Sequence, residues 1–267
     1  MKKIDKYFDA NKKLWNERVN IHFESEFYDN KKFIKTKNSL NSIELEELGN
    51  IKNKSILHLQ CHFGQDTISL ANLGAKVTGI DFSENAIEKA KELSNIVNIK
   101  ADFICSNIYD LKKSLNRKFD IVFTSYGTIG WLPDINNWAE IVSYFLKRNG
   151  KFIIAEFHPY IWMFSNNFKE IKYSYFHTSA PIKEVIKGTY ADRNSDVKLV
   201  EYGWNHSLSD VINSLISHGL KIESLKEFPY SPYNCFSNLI ESKKGKFVFK
   251  DFPNLIPMVY SLKAKKI

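Results

Sequence analysis

A strand, a glycine turn, a helix and a second strand ending on an acid follow one another between residues 54 and 81. The apolar run at 56–59 predicts a buried strand, Gly64 permits a tight turn, and helical apolar spacing then continues to Gly74. The second strand ends on Asp81, seventeen residues after Gly64. Such a unit sets backbone N–H groups at a helix N-terminus beside a carboxylate that can bind both hydroxyls of a ribose. The sequence therefore predicts a nucleoside cofactor.

The composition predicts a globular chain with one full core. It has 267 residues, of which 43% are hydrophobic and 25% charged. It contains no run of about eighteen apolar residues, and the N-terminus lacks the apolar stretch of a signal peptide. We expect a cytoplasmic protein with no membrane partner. Cys61, Cys105 and Cys235 are too scattered for a disulfide framework or a zinc site, so we expect no metal.

The formal net charge of +8 is spread over short lysine runs. Solvated faces explain most of this charge, and a basic rim that attracts an anionic substrate is the alternative. A nucleic-acid track would need basic residues interleaved with exposed aromatic residues along one element, and none is visible. We therefore expect no nucleic-acid partner.

Residues 54–157 alternate between strand and helix patterns, which is typical of a parallel sheet covered on both faces. The predicted strands lie near 54–60, 76–80, 99–105, 119–126 and 151–157, and the predicted helices near 65–73, 83–94 and 134–147. Ser83 and Asp134 are suitable N-caps for the last two helices. The pattern predicts an α/β fold with a doubly wound sheet.

The remaining segments frame this central part. Residues 1–50 give two helical segments and are expected to form an N-terminal helical cap before a main domain at 51–267. An aromatic insertion without a clean period, at about 158–205, suggests a lid over the sheet edge. A helix from Ser207 and strands near 220–228 and 257–264 follow, whereas 229–256 gives no readable element.

Two further strands after five alternating ones resemble the seven-stranded sheet of the class I S-adenosylmethionine (SAM)-dependent methyltransferases. The segment 58–64, His-Leu-Gln-Cys-His-Phe-Gly, occupies the first motif of that family, and Asp81 stands where its ribose-binding acid stands. The segments 103–111, 119–126 and 146–152 resemble those around strands three, four and five. The resemblance implies a Rossmann-like, mostly parallel sheet whose last strand is antiparallel. It also implies SAM as cofactor and S-adenosylhomocysteine (SAH) as product.

The resemblance also implies a set of cofactor-binding residues. They are Gln60, His62, Gly64, Gln65, Asp66, Asp81, Phe82, Asn107, Ile108 and Ser125. Asn107 is expected at the adenine amino group, with helix capping as its alternative role. His62 is expected either to support the structure of the loop or to contact the cofactor.

The first motif departs from the family pattern at three positions. Of its glycines only Gly64 remains, because Gln60 and His62 fill two of those positions, and His58 replaces the acid. We expect the side chains at 60 and 62 to point away from the cofactor, or the loop to lie farther back. A glycine-poor loop argues against an NAD dehydrogenase, whose glycines let the pyrophosphate approach. SAM has no phosphate and tolerates such a loop.

The candidate catalytic residues lie near the ends of strands four and five and at the lid. Tyr126, Glu156, His158 and His206 qualify by position. His158 is the first choice because imidazole titrates near neutral pH. A structural role for His158 before Pro159 is the alternative. In the N-terminal segment, which often closes over the cofactor in this family, Arg18 is a candidate partner for the cofactor carboxylate.

Motifs of the nucleic-acid, protein-arginine and metal-dependent methyltransferases are missing, which leaves a small-molecule acceptor. The chain resembles a bacterial small-molecule subgroup, with oxygen the expected acceptor and nitrogen the second choice. An anionic or sugar-derived metabolite would suit the basic charge. A different SAM-fold transferase and a non-catalytic SAM-binding or partner-activating subunit remain as alternatives, and we expect a monomer or a homodimer.

Overall fold

A computed structural model of the protein describes residues 3–267. The helices are α1 Lys3–Glu24, α2 Asn30–Thr36, α3 Ser42–Leu48, α4 Gln65–Asn72, α5 Glu84–Val97, α6 Leu111–Ser114, α7 Ile135–Phe145 and α8 Leu208–Ser217. The strands are β1 Ser55–His58, β2 Lys76–Asp81, β3 Asp102–Cys105, β4 Phe119–Ser125, β5 Leu146–Phe157, β6 Ile182–Lys187, β7 Lys198–Gly203, β8 Leu220–Phe228, β9 Leu239–Lys243, β10 Lys246–Phe249 and β11 Val259–Lys266.

One seven-stranded sheet with the order β3-β2-β1-β4-β5-β11-β8 organises the chain. The strands from β1 to β5 pair in parallel, and β11 runs antiparallel to both β5 and β8. This confirms the Rossmann-like sheet with an antiparallel last strand. β5 begins five residues earlier than expected, because Leu146 pairs with Phe119 across a register shift instead of continuing α7.

Apolar residues cover the sheet on both faces. On one face Trp138 of α7 and Leu215 of α8 are buried in the same cluster as Tyr260 of β11. On the other face Leu48 of α3 packs in a cluster with Ile121 of β4. The predicted N-caps are confirmed, since Ser83 and Asp134 accept hydrogen bonds from the first turns of α5 and α7.

The N-terminal segment holds three helices where the sequence predicts two. α1 lies against β7 and α5, and α3 lies against β5 and β11. The unpredicted α2 begins after Asp29, which accepts a hydrogen bond from the Lys32 N–H. α2 is rich in lysine and buries only the side chain of Phe33, so its sequence shows little apolar periodicity.

Two antiparallel hairpins lie outside the main sheet. β6 and β7 pair within the aromatic insertion, and β9 and β10 pair within the segment that gave no readable element. Both hairpins are largely exposed or half-buried, so their sequences lack the strong apolar signal of a central strand. None of the helices within residues 3–267 has the length and apolar character needed to cross a lipid bilayer.

Candidate functional site

A cavity of about 1090 Å³ opens at the carboxyl ends of β1, β2 and β4. This edge is where open parallel sheets bind ligands. Side chains from α1, from α2 and from the β6–β7 hairpin complete the wall. All ten predicted cofactor residues lie on the lining: Gln60, His62, Gly64, Gln65, Asp66, Asp81, Phe82, Asn107, Ile108 and Ser125.

The loop after β1 keeps a glycine-type backbone although two of its glycines are replaced. Gln60, His62 and Gly64 have φ values of 54°, 51° and 81°. A Cβ atom on Gly64 would lie 2.8 Å from the Phe103 ring and 2.9 Å from the Ala90 Cβ. Only glycine fits there, whereas Gln60 and His62 occupy the left-handed region at some cost in conformational energy.

Neighbouring elements hold the two replacement side chains. The Gln60 side-chain amide donates to the Thr128 carbonyl oxygen at 2.8 Å, in the loop after β4. The His62 ring stacks on the rings of His22 and Tyr28, with centroids 5.3 and 5.5 Å away. Packing against the N-terminal segment therefore accounts for the position of His62.

Asp81 is fixed by backbone donors from two loops. One carboxylate oxygen accepts from the His62 N–H and the other from the Ser83 N–H, both at 2.9 Å. Burial raises the pKa of Asp81 to about 6, while these hydrogen bonds act in the opposite direction. Each carboxylate oxygen retains acceptor capacity. The pair fits the two hydroxyls of a ribose.

The adenine side of the predicted site combines a cap with a buried apolar residue. The Asn107 side-chain oxygen accepts from the Tyr109 N–H at 3.1 Å and so begins a short 3-10 helix, Ile108–Asp110. Ile108 is buried in the main core cluster. The capping role of Asn107 is present, and the residue also lies on the cavity lining.

Gln65 and Asp66, two of the predicted cofactor residues, are linked by hydrogen bonds to the N-terminal segment. Asp66 accepts hydrogen bonds from the hydroxyls of Ser39 at 2.6 Å and Ser125 at 2.9 Å. The Gln65 amide donates to the Tyr28 carbonyl at 2.9 Å and to the Asn30 side chain at 2.7 Å. The cap thus contacts the predicted cofactor loop directly.

The imidazoles between cap and loop are neutral near pH 7. The His22 Nδ1 lies 3.2 Å from the His62 Nε2. Burial, the other imidazole and the nearby Arg18 guanidinium lower the pKa of His22 to about 2, and burial and Arg18 lower that of His62 to about 3. Arg18 itself pairs with Glu201 of β7 at 2.8 Å, so its charge already has a carboxylate partner.

The candidate catalytic residues lie in different places. Tyr126 lines the cavity, and its hydroxyl donates to Glu44 Oε2 at 2.9 Å. The structure does not bring the two histidines to it, so we do not retain them as bases. The His158 Nε2 lies 2.9 Å from Glu227, because Phe157 takes the cavity side and the next residue faces away.

His206 and Glu156 are structural in this arrangement. The His206 ring bonds the Leu132 carbonyl at 2.7 Å and stacks on His177, outside the cavity. Glu156 is buried at the end of β5 and accepts from the Thr128 N–H at 2.7 Å and from the Gly127 N–H. It therefore fixes the loop that follows β4.

Sequence reasoning singled out Tyr28 in the N-terminal segment but missed Tyr190 and Tyr233 on the cavity lining and Glu44 beside it, because these residues come from distant segments. The Tyr28 and Tyr190 hydroxyls lie 2.5 Å apart and connect the cap to the lid. Tyr233 lines the cavity from the segment after β8. Glu44 stands three residues after Asn41, a capping-box spacing that reads as a helix signal alone.

The sheet and its edge cavity define a Rossmann-like α/β protein with a nucleoside site. A family model described as a methyltransferase domain matches residues 50–204, more than half of the chain. The chain therefore belongs to the methyltransferase-domain family and carries the fold and motifs of the class I SAM-dependent methyltransferases.

Relatives outside the family model agree with this assignment. The chain is 27% identical over 146 residues to the ubiquinone biosynthesis O-methyltransferase of Coxiella burnetii, covering 55% of this chain and 58% of that protein. It is 32% identical over 104 residues to the malonyl-[acyl-carrier protein] O-methyltransferase of Bacillus anthracis, covering 38% and 37%. The match thus spans little more than half the length of the first of these relatives and little more than a third of the second. A SAM-dependent methyltransferase structure from Clostridium acetobutylicum shares the fold, with TM-score 0.56, 18% identity and coverage of 92% and 94%.

Proposed function

We propose that this chain transfers the methyl group of SAM to a small-molecule acceptor, with oxygen as the preferred acceptor atom. One observation carries the proposal. The Gly64 turn, Asp81 and Asn107 share a single cavity with Tyr126 and with aromatic side chains of the cap and the lid. A nucleoside cofactor and an acceptor would therefore meet inside one cavity.

The residues at the sheet edge fit SAM. Asp81 would hold the ribose, Asn107 and Ile108 would lie beside the adenine, and Asp66 and Ser125 would lie at the methionine end. When bound, SAM supplies a methyl group on a positively charged sulfur. The protein's part is to hold the acceptor in line with that group and to exclude water.

The size and lining of the cavity support a small acceptor. A cavity of about 1090 Å³ is slightly larger than the range of about 300–1,000 Å³ that is usual for small-molecule sites. Trp131, Trp204 and Phe236 give it an aromatic wall. We propose that the segment 1–50 acts as a cap and 158–205 as a lid, and that the protein acts as a monomer or homodimer.

Oxygen is favoured for two reasons. The two curated relatives described above are named O-methyltransferases, and Tyr126 places a phenol bonded to a carboxylate on the cavity wall. Nitrogen remains the second choice. The lining carries charges of both signs, with Arg18 paired to Glu201, so it gives no support to the anionic acceptor that the net charge suggested.

Calorimetry with SAM, SAH and NAD tests the cofactor. We expect SAM and SAH to bind and NAD not to bind, and a chain that binds neither SAM nor SAH would refute the proposal. SAH release with a panel of phenols, carboxylic acids and amines then tests the transfer. Binding without turnover on any acceptor class would favour a non-catalytic SAM-binding or partner-activating subunit.

A further inference from the structure

Glu44 is a buried carboxyl group beside the cavity that lacks a cationic partner. Its side chain is fully buried, and Oε1 accepts from the Asn41 N–H and side-chain amide, both at 3.2 Å. Oε2 accepts from the Tyr126 hydroxyl at 2.9 Å. Within the part of the chain that the structure describes, no lysine, arginine or histidine forms an ion pair with it.

Glu47, one turn further along α3, shows the usual solution for a buried carboxylate. It lies 2.9 Å from the Lys226 ammonium and 3.0 Å from that of Lys263, and these bonds lower its pKa. For Glu44, burial and repulsion from Asp66 raise the pKa to about 7, although its hydrogen bonds act against this. One helix therefore holds a paired carboxylate on one side and an unpaired one on the other.

The missing cation has a natural source in the ligand. Tyr126 follows Ser125 at the end of β4, beside the proposed methionine end of SAM, and it joins Glu44 to the cavity. SAM carries a positive sulfur that SAH lacks, and the two compounds are otherwise alike in charge. A carboxyl group at this position would therefore respond to which of them is bound.

We propose that Glu44 senses the charge of the cofactor: it is ionised when SAM is bound and, with SAH bound, returns to the protonation state of the free protein. It acts through Tyr126 as a positioning residue and does not touch the reacting atoms. The inference rests on the proposed function and adds to it a residue that sets the preference between cofactor and product.

The same arrangement provides for the proton of a hydroxyl acceptor. As the methyl–sulfur bond breaks and the methyl–oxygen bond forms, the hydroxyl proton moves to Tyr126 Oη. Tyr126 passes its own proton to Glu44 Oε2. The carboxylate loses its charge as the sulfur loses its own, so the net charge of the cavity is unchanged.

The direction of the pH dependence follows from the groups that face Glu44. These are Asp66 on α4, Tyr126 at the end of β4 and Tyr233 after β8. The sulfonium lowers the pKa of Glu44 from about 7, so SAM binding near pH 7 releases a proton and tightens as the pH rises. Asp81, with a pKa of about 6, meets a ribose common to both compounds, and its effect cancels in their ratio.

Calorimetry in buffers of different ionisation enthalpy measures this proton release for SAM and for SAH at pH 6, 7 and 8.5. We expect release with SAM near pH 7, less at pH 8.5, and none with SAH. If the sulfonium lowers the pKa of Glu44 from about 7 to about 6, the SAM-to-SAH affinity ratio rises about fivefold between pH 6 and 8.5.

Three variants locate the effect. We expect Glu44→Gln to abolish the difference in proton release between SAM and SAH. The control Glu46→Gln, on the exposed side of α3, should retain that difference. Tyr126→Phe removes a hydrogen bond that lowers the pKa of Glu44, so the proton release moves to higher pH, which also decides the question if Glu44→Gln fails to fold.

Equal proton counts for SAM and SAH in the wild-type protein would overturn this inference alone, and so would a folded Glu44→Gln variant that keeps the pH-dependent ratio. Failure to bind either compound would overturn the proposed function and this inference with it.

Discussion

The two halves of the cavity are built in different ways. The sheet-edge half comes from short turns, where Gly64 packs so tightly that a Cβ would lie 2.8 Å from Phe103. The other half, which we call the cover, comes from residues 1–50, 158–205 and 229–256. These segments are far apart in the chain and are joined by polar contacts such as the Tyr28–Tyr190 hydroxyl pair, 162 positions apart. Local chain geometry therefore builds the proposed cofactor side of the cavity, whereas long-range contacts build the proposed acceptor side.

The largest effect is expected at the tight turn. Gly64→Ala forces a left-handed alanine and brings its Cβ within 2.9 Å of Ala90, so it should lower the free energy of unfolding by roughly 2–5 kcal/mol. Urea denaturation measures this. Gly219→Ala, at φ 78° with open space around it, is the matched control and should cost about 1–2 kcal/mol. Equal losses would show that the turn is not sterically special.

Asp81→Ala should weaken SAM binding by roughly 1–3 kcal/mol, the range for hydrogen bonds to a charged group. Calorimetry against Asp102→Ala, an exposed carboxylate on β3, provides the comparison, and that control should bind SAM normally. Unchanged affinity in Asp81→Ala would contradict the ribose assignment. This prediction separates the sheet-edge half from the cover, because no cover residue contributes to it.

His22→Phe tests how the cover is attached. Burial lowers the pKa of His22 to about 2 in the folded protein. As the pH falls below about 6.5, His22 is therefore protonated in the unfolded chain but not in the folded one, and the free energy of unfolding decreases. Removing one such histidine should recover about 2 kcal/mol of the loss between pH 7 and pH 5. Urea denaturation at both values measures it, with the half-exposed His218→Phe as control. An identical pH dependence in wild type and His22→Phe would mean that His22 is protonated in the folded protein.

The smallest effect is expected between cap and lid. Tyr190→Phe removes one hydroxyl of the Tyr28–Tyr190 pair and should cost about 1 kcal/mol. A double-mutant cycle with Tyr28→Phe measures the coupling between the two residues by urea denaturation. Full additivity would show that this contact does not hold the lid to the cap.

The sequence predicts the sheet-edge half well because its signals are local. A short apolar run, Gly64 and Asp81 specify strand, turn and strand end within 28 residues, and the Ser83 cap follows at once. The role of His158 could not be predicted in this way. His158 directly follows β5, and the face of the sheet to which its side chain points depends on the register of that strand. A shift of one residue reverses that face.

The cover escaped prediction for a related reason. β6, β7 and β9 are largely exposed or half-buried, and β10 is four residues long, so these hairpins leave no strong apolar pattern in the sequence. The spacing of Asn41 and Glu44 fits a capping box, and at the level of sequence this role accounts for Glu44 completely. Its second contact, with Tyr126, joins residues 82 positions apart and emerges only when the chain is folded.

A crystal structure with SAH bound tests the central claim most directly. We expect the ribose hydroxyls to lie within hydrogen-bonding distance of both Asp81 oxygens. The adenine should lie beside Asn107 and Ile108, and the sulfur near Ser125 and Tyr126. An SAH molecule held elsewhere, or with its ribose away from Asp81, would contradict it.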